Sequence, residues 1–149
     1  MYKKILVPLD GSELAECVLP HAKAIATECG IEKVVLLRVV EPIHPETPAT
    51  VDFEEIQKAA VKAAKAYLAK TKAKLSKKGV NVETAVLTGR AAETIADFAQ
   101  SNKIDLIALA THGISGITRW VFGSVADKLV RSSSAPVLLI RPQGCESGV

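Results

Sequence analysis

The feature that most constrains how this chain can fold is the alternation of short apolar runs with stretches of helical periodicity. Five runs are rich in Val, Ile and Leu and are bounded by turn-forming residues, which predicts strands. Four intervening stretches repeat apolar residues every three or four positions, which predicts amphipathic helices. The predicted strands are residues 3–9, 34–40, 80–87, 105–109 and 136–140, and the predicted helices are residues 12–29, 53–76, 91–101 and 124–132.

This order of elements predicts an α/β fold with a single open sheet of five parallel strands and helices on both faces. Nearly continuous apolar strands are typical of a sheet that is buried on both sides. The run 80–87 alternates more than the others and has one partly polar face, which favours an edge position. Ligands of such sheets bind beyond the carboxyl ends of the strands, where the strand order reverses. We therefore expect the site among residues 8–12, 39–41 and 110–124.

Two of the predicted helices carry features that the structure can test. Pro20 lies inside the helix 12–29, so we expect a kink or distortion there, because proline removes one backbone hydrogen bond. Gly30 is expected to end that helix. The expected apolar face of the helix 53–76 consists of Phe53, Ile56, Ala60, Ala63, Tyr67 and Leu75.

The length and composition indicate one domain. The chain has 149 residues, of which 48% are hydrophobic and 23% charged, the usual balance of a globular domain. We expect residues 1–141 to form it and residues 142–149 to be a frayed tail. No apolar run reaches the length that crosses a bilayer, and Asp10 comes too early for a signal peptide, so we expect a cytoplasmic protein with no membrane partner. Three cysteines without a CxxC pair, at Cys17, Cys29 and Cys145, are expected to be free thiols.

The charge distribution leaves two interpretations of a lysine-rich helix. The formal net charge is only +3, and many of the lysines belong to residues 58–78. Such a helix could bind nucleic acid, or it could be a solvated face whose lysine stems lie along the surface. Aromatic residues make up 4% of the chain and leave little for base stacking, so we favour the solvated face and expect no nucleic-acid partner.

The loop 110–124 has the parts of an anion-binding cradle. Gly113 and Gly116 allow backbone conformations that are closed to other residues, and Gly123 lets a ligand approach the start of a helix. Ser124 is predicted to cap that helix, whose first free amides would face a phosphate. The alternative is a glycine-containing turn into a capped helix without a ligand. The chain contains no Walker loop, GxGxxG fingerprint or Gly-x-Ser-x-Gly elbow, and no catalytic residue is predicted.

Asp10 ends the first predicted strand on the expected ligand side of the sheet. Its carboxylate could accept a hydrogen bond from a ribose hydroxyl or an adenine amine, or help to hold a metal ion. Alternatively it caps the following helix, with Glu13 three residues further on. The two roles can coexist.

Together these segments resemble the universal stress protein family. The resemblance rests on the opening Lys-Lys-Ile-Leu-Val-Pro-Leu-Asp-Gly-Ser, on Leu-Leu-Arg-Val-Val-Glu-Pro, and on Ala-Thr-His-Gly, nine residues, Gly-Ser, then Ala-Pro-Val-Leu-Leu-Ile-Arg. It extends from Lys3 to Arg141. It implies a Rossmann-like sheet of the adenine nucleotide alpha hydrolase type, with strand order 3-2-1-4-5, and a homodimer formed through the last strand, Val137–Ile140.

The resemblance also implies a ligand. One branch of the family binds ATP through a Gly-x-x-Gly-(nine)-Gly-Ser/Thr motif, and here Gly113, Gly123 and Ser124 match it, whereas Ala110 replaces the first glycine. By resemblance, Pro8, Leu9, Asp10 and Val39 contact adenine and ribose, and Ser124 and Val125 contact phosphate. The implied ligand is ATP, or ADP or AMP, with Mg or Mn; the residue that would hold the metal is not identified.

Three functions follow as expectations. The first is an ATP-binding, homodimeric regulatory module of the stress response, with at most slow hydrolysis. The second is a dimeric protein that binds no nucleotide and acts through protein contacts, which Ala110 and the apolar residues Trp120, Val121 and Phe122 support. The third is a slow ATPase.

Overall fold

The computed structural model describes residues 2–43, 52–111 and 123–142. From residue 143 onward the predicted tail lies outside the described residues, and so do Gly113, Gly116 and residues 120–122. In chain order the elements are β1 (Lys4–Pro8), α1 (Glu13–Glu16), α2 (Val18–Glu28), β2 (Lys33–Val40), α3 (Phe53–Ser76), β3 (Val82–Thr88), α4 (Ala91–Ser101), β4 (Leu106–Ala110), α5 (Ser124–Ser132) and β5 (Val137–Ile140).

The predicted fold class is confirmed. The five strands form one parallel sheet in the order β3-β2-β1-β4-β5, with β3 and β5 at the edges. β1 is central: Ile5 lies opposite Val34 of β2 and Leu106 of β4. The strand order reverses between β1 and β4, because the chain builds outward to β3 on one side and to β5 on the other.

Each face of the sheet has its own hydrophobic core, since successive strand residues point to opposite faces. On one face Ile5, Val7 and Leu36 pack with residues of α2 and α3, among them Val18 and Leu68. On the other face a second cluster packs with α4 and α5; it includes Leu6, Leu37, Ile95, Ile107 and Leu129. The helices on both faces hold the carboxyl ends of the strands in one rigid edge. No helix in the described part of the chain is long and apolar enough to cross a membrane.

The predicted single helix 12–29 is wrong, because the chain forms two helices that meet at Cys17. Pro20 is the third residue of α2. The backbone amides of the first four helical residues have no acceptor within the helix, so a proline at this position removes no hydrogen bond from α2. The break therefore accommodates the proline without a kink inside a helix. Gly30 follows α2 in the left-handed conformation, with φ 64°, as expected for a helix-ending glycine.

The bounds predicted for α3 are confirmed, whereas its predicted apolar face is confirmed only in part: Leu75 is buried and Tyr67 packs against the core, but Ala63 is exposed. The side chains that α3 buries are Ala64, Leu68, Thr71 and Leu75. Ile56, expected inside, is 44% exposed. An alanine-rich helix offers several weakly apolar stripes, and the contact with β2 and β3 selects the one that carries Leu68 and Leu75.

The expectation of free thiols holds for one cysteine and fails for another. Cys29 is free and exposed. Cys17 is buried and disulfide-bonded. Pairing depends on where the fold brings a second sulfur, which spacing along the chain does not encode.

One carboxylate joins the starts of β1 and β4. Asp105 Oδ2 accepts the backbone N–H groups of Lys3, at 2.8 Å, and of Lys4, at 2.9 Å. These two hydrogen bonds hold the pKa of Asp105 below its usual 3.8, because they favour the charged carboxylate. A lowered folded-state pKa stabilises the fold at pH values above the unfolded-state pKa, and the contribution disappears as the pH falls through the folded-state value.

We therefore expect Asp105→Ala to lower the free energy of unfolding by about 1 kcal/mol at pH 7, a small value because water screens this carboxylate. The difference from the unaltered protein should shrink as the pH falls below the usual pKa of 3.8 and through the lower folded-state value. Urea unfolding at pH 7, 5 and 3 measures it. Asp97→Ala, at an exposed position of α4, is the control. The same loss in Asp97→Ala, or a loss from Asp105→Ala that does not depend on pH, would contradict this prediction.

Candidate functional site

A cleft of about 330 Å³ lies at the carboxyl ends of β1, β2 and β4. Eight of the nine predicted site residues line it, and the ninth, Gly113, lies outside the described residues. The eight are Pro8, Leu9, Asp10, Val39, Ala110, Gly123, Ser124 and Val125. The volume falls within the range of small-molecule sites, and the position is the switch point of the sheet.

Backbone hydrogen bonds beyond the strands shape the floor of the cleft. The amide of Leu9 donates to the carbonyl of Leu37 at 2.9 Å, which extends the pairing of β1 with β2 into the site. The amide of Thr111 donates to the carbonyl of Ile140 at 2.9 Å and does the same for β4 and β5. The segments that carry the candidate residues are therefore extensions of a rigid sheet.

Asp10 is not the helix cap that one sequence interpretation proposed. The cap of α1 is Ser12, whose hydroxyl accepts the amide of Ala15 at 3.1 Å. Asp10 Oδ1 in turn accepts the amide of Ser12 at 2.8 Å and its hydroxyl at 2.6 Å. These contacts form a tight turn that holds the Asp10 carboxylate at the wall of the cleft.

The start of α5 forms the opposite wall. Gly123 is the N-cap and Ser124 is the first helical residue, so the prediction that Ser124 caps α5 is wrong by one position. No side chain caps the helix within the described residues, and Asp127 accepts instead from Arg131 Nε at 3.1 Å. The amide of Gly123 donates to the carbonyl of Thr111 at 2.7 Å and fastens α5 to the end of β4.

As a result, the backbone amides of the first turn of α5 lie at the cleft, with the positive end of the helix dipole. This is an arrangement that favours an anion such as a phosphate. A second cleft, of about 300 Å³, adjoins this wall and shares Ser124 and Val125 with the first. It adds two basic side chains, Arg90 and Lys128, and two acidic ones, Glu41 and Glu93.

Ala110 is the last residue of β4 and is paired with Ile140. The only non-glycine residue with a positive φ in the described part of the chain is Lys103, so the backbone of Ala110 is in a conformation that alanine adopts freely. Alanine in place of the glycine of the family motif therefore adds a methyl group to the lining of the cleft but does not strain the backbone.

Sequence reasoning missed several residues that line the cleft. The additional ones are Ala15, Leu37, Arg38, Ala91, Ile95, Leu109 and Ala126; Thr111, which belongs to the expected range 110–124, also lines the cleft. Most are apolar core residues, which a motif cannot distinguish from the rest of the core. Arg38 had a signal, as the one charged residue within the apolar run of β2. Its Nη1 donates to the carbonyl of Val39 at 3.4 Å, so a guanidinium group lies beside one of the predicted contacts.

The candidate site contains few groups that could coordinate a metal ion. Within residues 2–43, 52–111 and 123–142 no group of three or more His, Cys, Asp or Glu side chains is arranged to hold one. The carboxylate of Asp10 lies in the main cleft, and those of Glu41 and Glu93 lie in the adjoining one.

The comparisons with known proteins agree on one family. The sequence model described as the universal stress protein family matches residues 1–141. A relative in Methanocaldococcus jannaschii, universal stress protein MJ0531, is 33% identical over 141 residues, which cover 95% of this chain and 83% of the relative.

Solved structures agree with the sequence comparison. The structure of hypothetical protein MJ0577, a universal stress protein of M. jannaschii, superposes with a TM-score of 0.86 at 31% identity, covering 97% of this chain and 99% of that one. The universal stress protein from Archaeoglobus fulgidus, solved in complex with dAMP, superposes with a TM-score of 0.61 at 25% identity, covering 93% and 98% of the two chains.

Proposed function

This chain belongs to the universal stress protein family, and we propose that it is an ATP-binding member of it. The observation that carries the proposal is the cleft at the switch point, where three strand ends meet the uncapped start of α5. Such a site combines apolar walls for a base with backbone amides for phosphates. The A. fulgidus relative, whose structure contains dAMP, supports an adenine nucleotide as the ligand class.

In this proposal the adenosine part lies against the ends of β1 and β2. Pro8, Leu9 and Val39 supply apolar surface and backbone groups, and Asp10 accepts a hydrogen bond from a ribose hydroxyl. Arg38, which already donates to the carbonyl of Val39, places a positive charge near the same end.

The triphosphate extends toward α5. Ser124 and Val125 present backbone amides there, Gly123 lets the ligand come close because it has no side chain, and Ala110 lies beside them at the end of β4. By the match to the family motif, Gly113 belongs to the same cradle. Arg90 and Lys128, in the adjoining cleft, are the nearby cations that would favour a multiply charged ligand.

Mg or Mn fits this arrangement as an ion carried in by the nucleotide. Both cations prefer oxygen ligands, and Mg keeps several waters while it binds substrate phosphates and one or two carboxylates. Asp10 is the carboxylate in the main cleft. Phosphate oxygens and water would then supply most of the ligands, and the ion would neutralise charge between the phosphates.

We further propose that the protein is a cytoplasmic homodimer whose response to nucleotide is regulatory. β5 is an edge strand of four apolar residues, all partly exposed, which is a surface suited to pairing with a second copy. We assign no general base and therefore expect at most slow hydrolysis.

The direct test is isothermal titration of the full chain with ATP and MgCl₂, then with ADP, AMP and GTP. We expect one ATP per chain with a dissociation constant in the micromolar range, and weaker binding of GTP, whose base reverses the donor and acceptor groups of adenine. No heat of binding at millimolar ATP would refute the proposal and would favour the alternative, a dimer that acts through protein contacts. Equal affinity for GTP would contradict the adenine contacts.

A further inference from the structure

The helix α1 follows the turn at Asp10, and it is too short to be stable without contacts to other elements. It has four residues, Glu13–Glu16, and ends at the break before α2. Isolated helices of this length are not stable in water, because nucleation costs more than so few hydrogen bonds return. Its orientation must therefore be set by contacts to other elements.

The helix α1 makes a polar contact with α3. Tyr67 Oη donates a hydrogen bond to Glu16 Oε1 at 2.9 Å, across 51 positions of the chain. Burial, with the hydrogen bond to Glu16 as the next cause, raises the pKa of Tyr67 well above its usual 10.0. The hydroxyl therefore keeps its proton and remains a donor at any physiological pH.

The other end of α1 is tied to the candidate site. The amide of Glu16 donates to the carbonyl of Ser12 at 3.3 Å, and the hydroxyl of Ser12 accepts the amide of Ala15. Ser12 in turn donates twice to Asp10 Oδ1. Hydrogen bonds, joined by the covalent chain within Glu16 and Ser12, thus connect Tyr67 through α1 to the carboxylate that lines the cleft.

From this series we propose that Tyr67 is a positioning residue, which acts through Glu16 and α1 to orient Asp10 toward the sugar of a bound nucleotide. The inference rests on the proposed nucleotide-binding function. Tyr67 and Glu16 are absent from the lining of the main cleft, so the pair acts on a bound nucleotide through its neighbours: through α1, and through Asp10, whose charge also raises the pKa of Tyr67. The pair thereby connects sugar recognition to the position of the long helix α3.

The test compares ATP with 2′,3′-dideoxy-ATP, which lacks both ribose hydroxyls, by titration of the full-length protein. The dissociation constant of the unaltered protein should be about tenfold lower for ATP than for dideoxy-ATP, which corresponds to the free energy of about one charge-assisted hydrogen bond. In Tyr67→Phe, we expect ATP affinity to fall about fivefold and dideoxy-ATP affinity to change less than about twofold. A general weakening of the fold would lower both affinities together, so the ratio separates positioning from stability.

Matched variants sharpen the result. Tyr2→Phe removes the same hydroxyl at an exposed position before β1 and should leave the ratio unchanged. Glu16→Gln keeps an acceptor oxygen and should also keep the preference, whereas Glu16→Ala should lose it as Tyr67→Phe does. The double variant Tyr67→Phe/Glu16→Ala should lose no more than either single one.

The outcomes are distinguishable. If the unaltered protein binds no nucleotide, the proposed function fails and the inference with it. If it binds ATP but shows no preference over dideoxy-ATP, or if Tyr67→Phe keeps the full preference, nucleotide binding stands and the positioning role of Tyr67 is overturned.

Discussion

Replacing Ser124 by glutamate should lower ATP affinity by about 100-fold without destabilising the protein. Ser124 is the exposed first residue of α5 and lines the cleft where the phosphates are proposed to bind. Two unit charges about 4 Å apart repel by about 4 kcal/mol near a protein surface, and flexibility of the glutamate reduces this to about 3 kcal/mol. A carboxylate at this end of a helix stabilises the helix by about 0.3–1 kcal/mol, so the two effects have opposite signs.

Titration calorimetry measures the affinity, and thermal unfolding measures the stability. Ser132→Glu is the matched control, because it adds the same charge at the exposed last residue of the same helix. It should keep ATP affinity within about threefold and slightly lower the stability, since a negative charge is unfavourable at that end. Unchanged ATP affinity in Ser124→Glu would mean that the phosphates do not bind at the start of α5.

Ile107→Ala should have the largest effect on stability, lowering the free energy of unfolding by about 3–4 kcal/mol. Ile107 has no solvent exposure and belongs to the cluster between the sheet and α4 and α5. It lies in β4, opposite Leu6 of β1 and Val137 of β5, so the cavity would open in the middle of the sheet. A loss of this size corresponds to a fall in the melting temperature of roughly 10 °C for a domain of this length.

Ile56→Ala makes the same chemical change at a residue that is 44% exposed on α3. It should change the free energy of unfolding by less than about 0.5 kcal/mol, because alanine is the better helix former and little buried surface is lost. Urea unfolding of both variants provides the comparison. A large loss from Ile56→Ala would mean that the face of α3 predicted from the sequence is the buried one, contrary to the structure.

The candidate site could be predicted to a large extent, because it is built from local features. Asp10, Val39 and Gly123 were found from their positions after apolar runs and from the family motif, and the fold places all three at one cleft. Arg38, by contrast, carries a visible signal as a charge in an apolar strand, but that signal does not show that the residue lines the cleft.

Capping needed three-dimensional detail as well. Serine is a good cap at both Ser12 and Ser124 by residue type, yet only Ser12 caps a helix. At α5 the backbone of Gly123 is extended and its carbonyl accepts the first helical hydrogen bond, from the amide of Asp127 at 2.9 Å, so Gly123 is the cap and Ser124 is the first helical residue. The difference of one position is what leaves the first amides of α5 uncapped by any described side chain.

By itself, the sequence determined the alternation of strands and helices, the parallel sheet and the edge of that sheet where a ligand would bind. These follow from periodicity and turn residues, which act over a few neighbouring positions. The tertiary structure alone decided the stripe of α3 that is buried and the contact of Tyr67 with Glu16. Those features depend on contacts between residues tens of positions apart. Packing of the whole domain brings these residues together, and no local sequence pattern encodes such contacts.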